Sequence, residues 1–377
     1  MEFSKHNLNF TFYIIIMEDK EIYLNKLDLL VSQIELALKS NKTVIVQIAP
    51  ALRVSLGEMF SHPVGEDNTK KVVGALKELG FKHVIDTSLG ADVASYLEAQ
   101  ELVKYLKENN ETVFPKFNSC CIGWMLYVKR KHPELLNSVC PVMSPNLIAG
   151  GLAKLYLSKK LNKKPEDIIV VSIMPCTMKK YETLNLSHNG MKYVDYVLTT
   201  VELAEWMKKR EINFNKVQET EFDSILPQSS KSGIIFGATG GVTESIVNTS
   251  AHLLNEKVEI KDLRNDNDIY RKTYKVGQYE IKVAKVWGFK NLELLLEEVK
   301  KGEFYHFIEV MQCPMGCVGG PGQPFTTSEN VKKRAEGMRS TAQKSKVQTS
   351  LEIKEIEEII SSVLEENGKC ALNFSDL

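Results

Sequence analysis

The stretch DIIVVSIMPCTMKKYE, residues 167–182, decides how this chain folds. Asp167–Ile173 is an almost unbroken β-branched run, which suits a strand buried on both faces. Pro175 ends it, and Lys179 falls in the first turn of a following helix. The same rhythm extends to both sides. Upstream, residues 20–40 carry apolar positions at helical spacing, and a β-rich run from Thr43 to Ile48 closes at Ala49-Pro50. A helix around Lys70–Leu79 then stops at Gly80, before a short strand at His83–Asp86. Downstream, strands are expected at Gly233–Phe236, Tyr279–Val286 and Phe304–Val310. Alternating strands and helices predict an α/β fold, with mainly parallel β-sheet flanked by helices.

The 377 residues suffice for two or three packed lobes, and no repeat or long Pro/Gly linker separates them. Residues 1–40 read as an N-terminal helical extension in which Met17 is an alternative start. Residues 325–377 read as a C-terminal tail. There Ile353, Ile356, Ile359, Ile360, Val363 and Leu364 share one face of an amphipathic helix, more simply docked on the body than kept for a partner. With 48 basic and 48 acidic residues there is no field to hold a polyanion, so nucleic acid is not an expected partner. The apolar stretch Phe10 to Met17 falls well short of the roughly 20 residues a membrane helix needs, and it lacks a signal-peptide cleavage site.

Seven cysteines stand at 120, 121, 140, 176, 313, 317 and 370. An odd count without secretory features argues for reduced thiols in a cytosol-like compartment, not for a disulfide framework. Five of them lie in three Gly- or Pro-marked segments: Asn118–Trp124 (NSCCIGW) after the extended Val113–Phe117, Met174–Glu182, and Met311–Pro324 (MQCPMGCVGGPGQP). Each segment follows a predicted strand, and open α/β sheets place their ligands at strand carboxyl ends. One shared site is the economical inference. Zinc usually takes C-x2–4-C pairs from two knuckles. Here one C-x3-C joins a single cysteine and a vicinal pair, a pattern that suits an iron–sulfur centre better. Burial as apolar thiols accounts readily for one cysteine but poorly for five.

These segments resemble the three signature motifs of the iron-only (FeFe) hydrogenases, in order and spacing, and the resemblance extends from about Val44 to Pro324. It includes Ala49-Pro50, Asp86-Thr87 with Gly90-Ala91-Asp92, and Phe236–Gly241. The resemblance implies a catalytic domain over 41–324 with two lobes, divided near 165, and a cofactor in the cleft between them. That cofactor would be the H-cluster, a 4Fe-4S cubane joined to a two-iron subsite bearing carbon monoxide, cyanide and a bridging azadithiolate. Cys121, Cys176, Cys313 and Cys317 would hold the cubane, with Cys317 bridging to the iron pair. Cys120 would donate a proton, Lys179 would bind a cyanide, and Ala49, Pro50, Met174, Phe236, Gly237 and Met311 would line the subsite. Core packing alone would also explain the two methionines. Glu98 and Glu101, three residues apart on one helix face, would relay protons together with Cys140; unaided, two helix glutamates are commonplace.

The same resemblance implies reversible reduction of protons to dihydrogen, with maturation proteins needed to load the cluster. The first 40 residues hold no cysteine, so electrons are expected from an external carrier such as ferredoxin. The expected location is the cytoplasm, or an organelle of an anaerobic eukaryote. Several positions depart from the family pattern. Cys140 stands where a serine is usual, Tyr105 where a basic residue closes the relay, Ile122 where proline follows the vicinal cysteines, and Met315 where a small residue is common. Pro321 interrupts a glycine run, Ala51 replaces a serine, and Asn146 replaces a glutamine. Such changes tune rate and potential more than they delete chemistry. Two alternatives share the resemblance: a hydrogen sensor of low turnover, and an iron–sulfur assembly protein of the eukaryotic hydrogenase-like kind.

Overall fold

In the computed structural model, residues 20–108, 115–266, 268–363 and 370–373 are described; the stretch Phe10–Met17, residues 113–114 and Leu364 lie outside them. Strand β1 (Thr43–Ile48) is buried along nearly its whole length, as its β-branched sequence requires. It is flanked in parallel by β2 (His83–Asp86) and β4 (Ile168–Met174), and β4 pairs in parallel with β5 (Tyr196–Thr199). The order of this sheet is β2-β1-β4-β5. Helices α1 (Lys20–Lys39), α2 (Thr69–Glu78) and α7 (Thr200–Lys209) contribute to the apolar core on one side of it, through Ile34, Leu76 and Trp206 among others.

A second sheet runs β3-β9-β8-β7-β6. Its β3 (Lys116–Phe117), β9 (Phe307–Met311) and β8 (Tyr279–Trp287) are parallel, while β7 (Ile269–Val276) and β6 (Val258–Asp266) add an antiparallel meander. Helices α4 (Ile122–Lys131) and α10 (Phe289–Lys300) pack on it around Trp124, Leu292 and Ile308. Between the sheets, α3 (Ser88–Glu108) packs against α5 (Pro145–Leu152) and α9 (Gly241–Leu254) in the largest core. A π turn over Ala153–Leu157 follows α5. Among the described residues no helix is long and apolar enough to cross a membrane.

The α/β reading therefore holds, with two corrections of detail. Gly233–Phe236 is not a strand: Lys231–Ile235 forms the short helix α8, capped by Ser230, whose Oγ accepts from the Gly233 amide. A four-residue apolar run cannot by itself distinguish a strand from a buried helix. A single lobe boundary near 165 also fails, because β3 belongs to the second sheet while β4 and β5 return to the first. The segment after 324 packs on the body over more than its amphipathic helix. Helix α11 (Ser328–Gln343) contributes Ala335, Met338 and Ala342 to a core with Ala51, Ile234 and Val318. Its Arg334, only 1 % exposed, bonds Glu58 through two nitrogens, at 2.6 Å each, and donates to the carbonyls of Val318 (3.2 Å) and Pro324 (2.8 Å). Beyond it, Ile353 and the α12 residues (Ile356–Ser362) Ile356, Ile359 and Ile360 are buried against the body, with Val363, as their spacing predicts.

Candidate functional site

The carboxyl ends of β1 and β4 in the first sheet, and of β3 and β9 in the second, open onto one partly enclosed cavity. It holds about 890 Å³ of non-protein space, the open solvent at its mouth included. The cavity is lined by Cys120, Cys121, Cys176, Cys313 and Cys317, together with Ala49, Pro50, Met174, Phe236, Gly237 and Met311. All three cysteine segments therefore converge, although they are separated by up to about two hundred residues of chain. Among the described lining residues Lys179 is the only basic side chain.

Local backbone chemistry builds this convergence. Cys121 immediately precedes the first turn of α4, and α6 (Met178–Asn185) begins two residues after Cys176. The third segment is a tight turn: Met315 and Gly316 both take positive φ, at 60° and 87°. A Cβ on Gly316 would sit 2.8 Å from the Thr239 nitrogen, and one on Gly320 only 2.3 Å from the Pro175 carbonyl. Those glycines let the third segment close on the second, where the Gly322 amide donates to Pro175 at 2.9 Å. Met315, in place of a small residue, carries the cost of a left-handed backbone and has its carbonyl held by the Thr239 amide at 3.0 Å.

The five cysteines are part-exposed residues that line the cavity. Burial pushes the Cys176 thiol up to about 11 and that of Cys317 to about 12, and raises Cys313 well above its ordinary value. In each case neighbouring cysteines add to the effect, since their charges would repel. Such a set ionises together only around a strongly cationic group. Four thiolates on Gly- and Pro-rich turns fit an iron–sulfur cluster by their donor chemistry.

Around the thiols, polar contacts are few and specific. Lys179 donates to Glu182 Oε1 at 2.8 Å and to the Cys120 carbonyl at 3.0 Å. Burial works against its charge, but Glu182, fully buried, more than offsets this and raises the lysine's pKa. Glu182 is in turn held by Asn146 Nδ2 at 2.9 Å, the residue that departs from the usual glutamine. Asn118 pins the Cys120 segment to β9: its Oδ1 accepts from the Val310 amide (2.7 Å) and its Nδ2 donates to the Val310 carbonyl (3.1 Å). The same Nδ2 lies 3.3 Å from Cys120 Sγ. Burial, with the charge of Glu98 second, raises the Cys120 thiol well above its ordinary value, so it stays protonated at neutral pH.

Glu98 and Glu101 lie outside the cavity lining, on α3. Burial lifts Glu98 to about 8, with Glu101 and Glu309 adding to the shift. Glu101 is raised by burial too, against the pull of Lys116 and Lys104. Each glutamate has a buried Oε2 with no hydrogen-bond partner. Cys140, 2 % exposed, is raised by burial and by both glutamate charges. Sequence reading missed the supporting residues Asn118 and Glu182, which are quoted in its segments but given no role, and also Arg334. Only Glu182 carried a usable signal, its position three residues beyond Lys179 on one helix face.

Residues 42–321 match the family described as "Iron only hydrogenase large subunit, C-terminal domain". The chain is 40 % identical over 302 residues to the periplasmic Fe hydrogenase large subunit of Nitratidesulfovibrio vulgaris, covering 78 % of this chain and 72 % of that one. It is 37 % identical over 299 residues to iron hydrogenase 1 of Clostridium pasteurianum, spanning 78 % of this chain but only 52 % of the relative. A probable cytosolic Fe-S cluster assembly factor of Nematostella vectensis is 32 % identical over 293 residues, covering 73 % and 66 %. Among solved structures, an apo FeFe-hydrogenase variant from Chlamydomonas reinhardtii superposes with a TM-score of 0.77 at 29 % identity, over 90 % of this chain and 96 % of that one.

Proposed function

The chain belongs to the iron-only hydrogenase family, and from that premise we propose that it catalyses the reversible reduction of protons to dihydrogen at an H-cluster, with electrons from an external carrier such as ferredoxin. The observation that carries this reading is one cavity that joins four cluster-compatible thiols, a fifth thiol and Lys179, the one basic side chain among its described lining residues. Cys121, Cys176, Cys313 and Cys317 would hold the cluster, carbon monoxide, cyanide and azadithiolate completing its two-iron part. When bound, the cluster supplies electron storage and the iron site at which protons and electrons combine.

The protein's share is binding, orientation and proton traffic. Lys179 has three ammonium hydrogens; Glu182 and the Cys120 carbonyl take two, leaving one for an anionic ligand in the cavity. The apolar wall of Ala49, Pro50, Met174, Phe236, Gly237 and Met311 excludes water, which strengthens that contact. Cys120, held as a thiol by burial, is the proton donor facing the cavity. Glu98, near neutrality at about 8, exchanges its proton readily and recharges Cys120. Cys140 and Glu101 carry the path outward, both lying where their charges act on Glu98 or feel it.

Maturation proteins and the electron carrier are the partners this function requires. Similarity to an assembly factor supports the non-catalytic alternative, but the fifth, protonated thiol in the cavity favours turnover. The test is reconstitution of the full chain with iron and sulfide, and then with the two-iron cofactor, followed by hydrogen evolution from reduced viologen. Steady evolution that depends on both additions supports the reading. Iron uptake with negligible evolution would instead favour the sensor or the assembly protein.

A further inference from the structure

Residues 98, 101 and 105 form one stripe along α3, because steps of three and four return to the same helix face. Exposure increases along it: Glu98 is buried at 4 %, while Glu101 and Tyr105 are only partly so. At its outer end Lys116, on β3 of the second sheet, places its ammonium 5.0 Å from the centre of the Tyr105 ring. The ring face draws a cation and holds it one helical turn beyond Glu101. We propose that Lys116, seated on Tyr105, is a positioning residue for proton entry: its fixed charge acts on Glu101 and keeps that carboxyl able to release as well as take up a proton.

The need for such a charge follows from the surroundings of Glu101. Its Oε2 is buried without a hydrogen-bond partner, and burial pushes its pKa up. Burial without a partner favours the protonated acid. The opposing groups are Lys104 on its own helix and Lys116 from β3; Cys140, on the segment before α5, is a raised, neutral thiol. Lys104 is exposed and its charge is screened by water, whereas Lys116 is partly buried against the ring. A carboxyl that never ionises would pass protons in neither direction, so the cation sets the pH range over which the stripe conducts. Tyr105 thereby has a use in this chain, as the seat for a lysine carried by a different element.

This inference rests on the proposed proton path but can fail independently of it. In the metal-free full chain, the carboxyl band of Glu101, assigned by its loss in Glu101→Gln, is titrated by infrared spectroscopy. Lys116→Gln should move the titration to higher pH, Lys116→Arg should restore it, Tyr105→Leu should shift it part of the way, and Tyr105→Phe should leave it in place. In the loaded enzyme, the pH profile of hydrogen oxidation should move upward in Lys116→Gln, with a loss on the order of tenfold at neutral pH, and be rescued by Lys116→Arg. Equal shifts in the Gln and Arg variants, or no shift in either, would overturn the inference. If the loaded chain makes no hydrogen, the titration of the metal-free chain still decides whether Lys116 governs Glu101.

Discussion

At the residue scale, the site depends on groups that sequence spacing marks unevenly. The cysteines were legible because five thiols in glycine- and proline-marked turns have few explanations. Asn118, Lys116 and Arg334 were not, because their work is done on partners distant in sequence, such as Val310 for Asn118 and Glu58 for Arg334. Cys120 departs from the expectation for an ordinary thiol, since burial pushes it well above the range of a free cysteine. That makes it a reliably loaded donor that needs a strong acceptor. Cys120→Ala is expected to take up iron like the parent chain and to lose turnover by about 100-fold or more, the usual weight of a positioned acid. Iron analysis beside a hydrogen assay measures both; full turnover in the variant would remove Cys120 from the path.

At the scale of elements, β1 and β4, which open onto the site, were readable because each is a buried β-branched run closed by a proline. The meander β6–β7 was not. Within β7 the inward-facing Arg271 is neutralised by Glu298, bonded at 3.1 Å from Nε, so a charged letter occupies a core position and breaks the apolar pattern. Helix α8 was misread because GIIF, residues 233–236, is too short for its period to show. The most consequential element missed is α11, which looks polar because it buries only one narrow face. Its Arg334 joins the body at Glu58 to the loop that carries Cys317. Arg334→Ala leaves Glu58 and two carbonyls without their partner and should destabilise the chain by roughly 3–5 kcal/mol. Urea unfolding measures this; a change below about 1 kcal/mol would show that α11 is merely appended.

At the scale of the whole molecule, two sheets with interleaved connectivity meet over one cavity, so chain segments far apart in sequence form its wall. Such a site stores unfavourable electrostatics. Glu98 has a folded pKa of about 8 against an ordinary 4.5, so the folded state binds a proton that the unfolded chain has released. Its stabilising effect is complete below about 4.5 and is lost as pH rises towards 8. The metal-free chain should therefore lose stability between pH 5 and pH 8, and Glu98→Gln should flatten that slope. Melting temperatures of both proteins across this range provide the check, and parallel slopes would contradict the burial of Glu98.

The most direct test of the central claim is infrared spectroscopy of the full chain loaded with iron, sulfide and the two-iron cofactor, read alongside hydrogen evolution from reduced viologen. The account predicts carbon monoxide and cyanide bands, their loss when Cys317 is replaced by serine, and hydrogen evolution that tracks their intensity. A loaded chain with no such bands would contradict it.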